Sequence, residues 1–205
     1  MNTKRLLIIV LTAAALTAVY MFFLQDKSAD KEVKKEYLTV KKHSNSFNAG
    51  IDKVMSAYFD LKNSFVDGDT AAVKQKAQLF IIALNNIDTL ELKKDTASVF
   101  ATVMFTLTDM RLNTESILNQ HDMQEMRKDF SSLSDMMYPA FFQTINYEGA
   151  TIYLQNCPMA FDDSIPANWI SETNEVVNPY LGKKHPVYQA GMLHCGEIKD
   201  SIGSK

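Results

Sequence analysis

A mainly α-helical domain is the architecture this sequence predicts: an up-down bundle of about four helices, followed by a small β- and loop-rich C-terminal segment and preceded by an N-terminal membrane segment. Three observations carry it. Apolar residues recur at spacings of three and four from residue 45 onward, the pattern turns to polar and apolar alternation with clustered proline and glycine after Phe142, and residues 6–24 form one uncharged apolar run. At 205 residues and 46% apolar content, the chain is long enough for one compact core with extra segments.

Lys4 and Arg5 precede LLIIVLTAAALTAVYMFFL, a run that approaches the roughly 20 residues needed to cross a bilayer as a helix. Residues 1–25 are therefore a signal-anchor or a signal peptide. Small-x-small triplets lie only around Ala13 to Ala15, and cleavage there would leave Tyr20, Met21, Phe22, Phe23 and Leu24 on the mature N-terminus, which favours a retained anchor. Lys27, Lys31, Lys34 and Lys35 lean against export by the positive-inside rule. The short N-terminal tail and the lack of a second span outweigh them, so the expected location is the periplasm, with residues 6–24 in the inner membrane. Residues 26–44, DKSADKEVKKEYLTVKKHS, read as a charged linker.

The domain is expected over 45–203. Phe47, Ile51, Val54, Tyr58, Leu61 and Phe65 mark the first helix, and Gly68 stands where it should stop. Asp69 or Thr70 caps a second, with Val73, Ala77, Phe80, Ile81, Leu84 and Ile87 on one face. A third begins after Asp95 or Thr96 and carries Val99, Val103, Leu107 and Met110. Asp122 caps a fourth with Met126, Phe130, Leu133, Met137 and Phe141, which Pro139 is placed to kink. Short connections make neighbouring helices antiparallel. Beyond them a turn is expected around Glu148–Gly149, with Tyr147, Ile152 and Leu154 in short strands and Trp169 anchoring the loop-rich tail to the bundle.

A formal net charge of −3 without a clustered basic face gives no reason for nucleic-acid binding. No nucleophile elbow, phosphate-cradling glycine loop or CxxC pair is present, so no enzymatic activity is expected. His43, His121 and His185 are scattered, His194 alone adjoins a cysteine, and Asp162–Asp163 reads as a turn.

Both cysteines sit in suggestive company. Cys157 and Met159 are two apart, which puts a thiol and a thioether on one face of an extended segment. Met192 and Cys195 are three apart and converge only in a tight or helical turn, which the flanking Gly191 and Gly196 permit. Two thiolates and two thioethers form a soft donor set of the kind that selects monovalent copper or silver, and thioethers suit zinc poorly. The competing reading is a disulfide across the 38 positions from Cys157 to Cys195, worth about 3 to 4 kcal/mol on the chain-entropy model. Spacing leaves both open, and a reduced pair could bind metal while an oxidised pair staples the tail.

HDMQEMRKDFSSLSDMMY, IYLQNCPMAFDDSIPANWISETNEVVNPYLG and GMLHCGE together resemble a domain-of-unknown-function family of exported bacterial proteins. That domain is also found fused to the periplasmic adaptor subunits of copper and silver efflux systems. Cys157 to Ala160, Trp169, Asn178 to Tyr180, Gly182, Met192, Leu193, Cys195 and Gly196 carry the resemblance, His194 matches no fixed position, and the stretch KKHPVYQAG is longer than the family's link. The resemblance implies a periplasmic setting in heavy-metal handling. The expectation is thus a membrane-anchored periplasmic module that binds Cu(I) or Ag(I) through Cys157, Met159, Met192 and Cys195, for buffering or delivery to an efflux adaptor. The alternative is a disulfide-stapled helical scaffold or protein-interaction module.

Overall fold

The structure, a computed structural model, describes residues 42–203. The expected membrane segment at 6–24 and all but the end of the expected linker lie outside the described residues. Among the described residues no helix is long and apolar enough to cross a membrane.

Four helices form the body. Helix α1 spans Asn45–Asp67, α2 Thr70–Asn85, α3 Ala97–Asn119 and α4 Met123–Met136, with a 3-10 turn at Glu91–Lys94 between α2 and α3. Each starts on the side-chain oxygen of a capping residue: Ser44, Asp69, Thr96 and Asp122 accept from backbone N–H groups of the first turn that have no intrahelical partner. At the end of α1, Gly68 adopts φ +63 and donates to Phe65 O and Ser64 O, a left-handed cap that a side chain would strain. Consecutive helices pack on one another, and Phe130 of α4 returns to α1, its ring centroid 5.3 Å from Tyr58 and 4.8 Å from Phe65. The bundle is closed by these aromatic contacts.

The expected stripes are the buried ones. Phe47, Ile51, Val54, Tyr58, Leu61 and Phe65 are at most 3% exposed, and Val73, Ala77, Phe80, Leu84, Val99, Val103, Leu107, Met110, Met126, Phe130 and Leu133 are equally enclosed. Ile81 is only half-buried, because it lies at the margin of the α2 face. At Tyr138 the backbone leaves helical geometry (φ −120, ψ 132) before a cis peptide to Pro139, so Pro139 does interrupt the fourth helix.

Behind the bundle lies a three-stranded antiparallel sheet in the order β2-β1-β3, made of β1 (Ile152–Phe161), β2 (Ile165–Ser171) and β3 (Glu197–Ile202). The expected turn at Glu148–Gly149 precedes the sheet rather than joining two strands, and Tyr147 is outside every strand. The β1–β2 turn is instead at Asp162–Asp163, both at positive φ (49 and 55), where short polar side chains tolerate left-handed backbone. Regular structure therefore reaches further into the tail than its proline and glycine content suggested.

Sheet and bundle are joined by polar contacts inside an aromatic cluster. Tyr180 packs on Phe130 of α4 and on Phe161 and Trp169 of the sheet, and its hydroxyl donates to Asn168 O. Tyr58 Oη lies 2.7 Å from Ser134 Oγ and accepts from Ile170 N at 3.1 Å, which ties α1, α4 and β2 at one buried point. Arg127 is 2% exposed and donates to Pro179 O and Phe65 O, at 3.0 and 3.3 Å. Burial pulls the pKa of its guanidinium down to about 10, and the charge of Asp122 works against that shift. Trp169 is fully buried, so it anchors the tail as expected.

Candidate functional site

Cys157 lies on the central strand β1, opposite the small side chain of Ala167 on β2, and is fully buried. Beyond it Pro158 is exposed, Met159 is half-buried and packed on the core, and Ala160 and Phe161 are both buried, so strict alternation is lost. The register shifts between Cys157 and Phe161, so Pro158 and Met159 fall on a bulged stretch. That bulge accommodates proline, which has no N–H to give to the ladder.

The second cysteine arrives from the far end of the chain. Ala190–Met192 form a 3-10 turn, and Cys195 N donates to Met192 O at 3.0 Å, so Met192 and Cys195 open and close one tight turn as their spacing requires. Asn178 holds that turn in place. Its backbone N–H donates to Leu193 O at 2.8 Å and its Nδ2 to Cys195 O at 2.7 Å, while its Oδ1 accepts from Tyr180 N and Leu181 N. This fully buried side chain connects the aromatic cluster to the cysteine turn. Sequence reasoning singled out Asn178 only as part of a pattern; the clue to its role was a buried-type NPY stretch too short to form an element of its own.

The outcome is a close thiol pair. Cys157 Sγ and Cys195 Sγ are 2.9 Å apart, longer than a disulfide bond of about 2.05 Å. Burial pushes the Cys195 thiol up to about 12, and its hydrogen bond with Cys157 and the charge Cys157 would carry add to the rise. Cys195 is half-buried, in a turn at the surface, whereas Cys157 is enclosed. Met159 and Met192 are both half-buried and pack against the core.

The histidines stay outside. His194 is exposed and its Nδ1 lies 2.7 Å from Val176 O. His185 accepts from Val187 N and Tyr188 N, His43 Nε2 contacts Ile145 O, and His121 is exposed. Among the described residues no three His, Cys, Asp or Glu side chains gather as a metal cage.

Residues 54–148 match the model of a family described as "Protein of unknown function (DUF3347)". Over that segment the chain is similar to a domain-of-unknown-function family. The matched stretch runs from within α1 to the connection before β1, so it covers most of the bundle and ends ahead of both cysteine motifs. No curated protein and no solved structure matches the chain.

Proposed function

We propose that this protein is a soft-metal-binding module of the periplasm, anchored in the inner membrane by residues 6–24, that takes Cu(I) or Ag(I) on Cys157 and Cys195 with Met159 and Met192 and buffers it or delivers it to an efflux adaptor. The observation that carries the reading is the approach of two sulfurs from opposite ends of the C-terminal segment to 2.9 Å. A tetrahedral ion with metal–sulfur bonds of about 2.3 Å holds its thiolates about 3.8 Å apart, so the pair needs to open by roughly 1 Å. Two thiolates and two thioethers form a set that favours a monovalent soft ion over zinc. Both thiol protons must leave on binding, so affinity should fall as pH falls.

The test is competition for Cu(I) against a chelator using the reduced protein, alongside the double variant Met159→Leu and Met192→Leu. Loss of the thioethers is expected to weaken Cu(I) binding by about tenfold or more, with the fold unchanged because Leu conserves volume. Equal affinity in the two proteins would remove the methionines from the site.

A second reading, a Cys157–Cys195 disulfide stapling a docking module, is favoured by the enclosure of Cys157 and by the resistance of the Cys195 thiol to ionisation. Free-thiol counting on protein taken from the cell envelope separates the two.

A further inference from the structure

The sheet encloses two polar atoms that no protein group satisfies. Gln155 on β1 and Trp169 on β2 are directly opposed in the antiparallel register, and neither side chain has exposed surface. Opposed residues project from the same face of a sheet, with Cβ atoms about 4.5–5.5 Å apart. Gln155 Nε2 donates to Thr173 O at 3.1 Å and to Glu175 O at 3.0 Å. Those two acceptors fix which end of the amide is nitrogen, so the other end is an oxygen, and among the described residues it is enclosed with no donor. Trp169 Nε1 can only donate, and among the described residues it is enclosed with no acceptor. Each of these atoms stands three bonds beyond its own Cβ, so the two have similar reach from the sheet.

We infer that Gln155 and Trp169 form a binding site for one internal water molecule, which donates to Gln155 Oε1 and accepts from Trp169 Nε1. A donor and an acceptor that oppose each other without bonding directly are a complementary pair for a single water, and internal waters bind about two to four such otherwise unsatisfied groups. Both atoms need a partner, because an unpaired polar group is most costly in the interior. The water has a structural task. Gln155 holds the 172–177 segment through Thr173 O and Glu175 O, and that segment leads into Asn178, which fixes the cysteine turn. On the six-membered ring of the indole, Trp169 Cη2 lies against Gly196 of that turn, 2.8 Å from where a Cβ would stand. One water thus orients together the amide of Gln155 and the indole of Trp169, the two side chains that back the segment and the turn. The site involves no ionisation of sulfur and stands whether or not the cysteine pair holds a metal.

The experiment is nuclear magnetic resonance on the full-length, reduced, isotope-labelled protein in detergent. Trp169 is the sole tryptophan, so its indole N–H signal is unambiguous. The expected result is a cross-peak from that proton to water with opposite signs in laboratory-frame and rotating-frame Overhauser spectra, as a water held in place gives, and a second such cross-peak at the Gln155 side-chain amide. In Gln155→Met, which removes the acceptor and keeps the length of the side chain, the Trp169 cross-peak should be lost. A missing cross-peak at Trp169 or at Gln155, peaks of one sign in both spectra, which report proton exchange, or a Trp169 peak unchanged in folded Gln155→Met would each overturn the inference. The ring of Tyr180 meets Trp169 at 5.9 Å and carries an exchangeable hydroxyl, so a peak lost in folded Tyr180→Phe would trace it to that hydroxyl and overturn the inference as well. If a variant loses the folded spectrum, the Trp169 and Gln155 peaks of the unsubstituted protein decide alone.

Discussion

Gly196→Ala is the substitution that tests most sharply how the cysteine turn is held. Gly196 has φ +144, and a Cβ there would stand 2.8 Å from Asn156 O, 2.8 Å from Trp169 Cη2 and 3.2 Å from Val176 Cγ1. Asn156 belongs to the central strand and Trp169 is fully buried, so neither can retreat without disturbing the sheet. Backbone strain of about 1–3 kcal/mol adds to an overpacking cost of about 1–3 kcal/mol, which sums to roughly 2–6 kcal/mol. Releasing the turn avoids much of this cost, since it gives up chiefly the two Asn178 hydrogen bonds at about 1 kcal/mol each. The expected result is a detached turn: Cys195 alkylates faster by about tenfold or more, and the melting temperature falls by several degrees, at about 2–4 °C per kcal/mol. Gly191→Ala is the internal control, because a Cβ at that position meets nothing within 4 Å. It should change stability by less than about 0.5 kcal/mol. Thermal melts and timed alkylation of the two variants are the assay. If Gly196→Ala matched the unsubstituted protein in both, the packing of this turn against β1 and Trp169 would be wrong.

Arg127→Ala leaves Pro179 O without its donor, removes one of the two bonds to Phe65 O and opens a cavity, and should cost about 3–5 kcal/mol in urea titration; a larger loss for Arg127→Met than for Arg127→Ala would contradict this account. Tyr58→Phe strands Ile170 N and should cost about 1–3 kcal/mol, with a coupling to Ser134→Ala visible in a double-mutant cycle. Because the Cys195 thiol is raised from 9.0 to about 12, the reduced fold retains more protons than the unfolded chain between those values. Its contribution to stability is complete below pH about 9 and is lost as pH rises toward 12, so the melting temperature should fall more steeply there for the reduced protein than for Cys195→Ser. Oxidation across the 38-position loop should stabilise the fold by about 4 kcal/mol over the reduced form, read as a rise in melting temperature of about 8–16 °C.

The helices were legible because their information is local. Phe47, Ile51, Val54, Tyr58, Leu61 and Phe65 repeat at the helical period, and Asp69, Thr96 and Asp122 are caps whose oxygens reach N–H groups two or three residues on. The sheet was less legible because its information is not local. Cys157 and Met159 read as part of an extended segment, but nothing local shows that it belongs to a ten-residue strand whose partners are β2 and a segment some 40 residues onward. The turn signal at Glu148–Gly149 marks only the entry to the sheet, whereas the turn at Asp162–Asp163 forms the hairpin. For the site, the Cys–x–Met and Met–x–x–Cys spacings indicated which residues share a face or a turn. They carried no information about Asn178, whose hydrogen bonds to Leu193 and Cys195 set the position of the second motif.

The central claim is that the paired sulfurs hold a soft metal, and the most direct measurement is Cu(I) titration of the reduced full-length protein with alkylation of its thiols at each step. One Cu(I) per chain, with Cys157 and Cys195 protected together and affinity rising by about tenfold or more per pH unit, is the expected result. A folded, fully reduced protein whose Cys195 alkylates at the same rate with and without excess Cu(I) would contradict it.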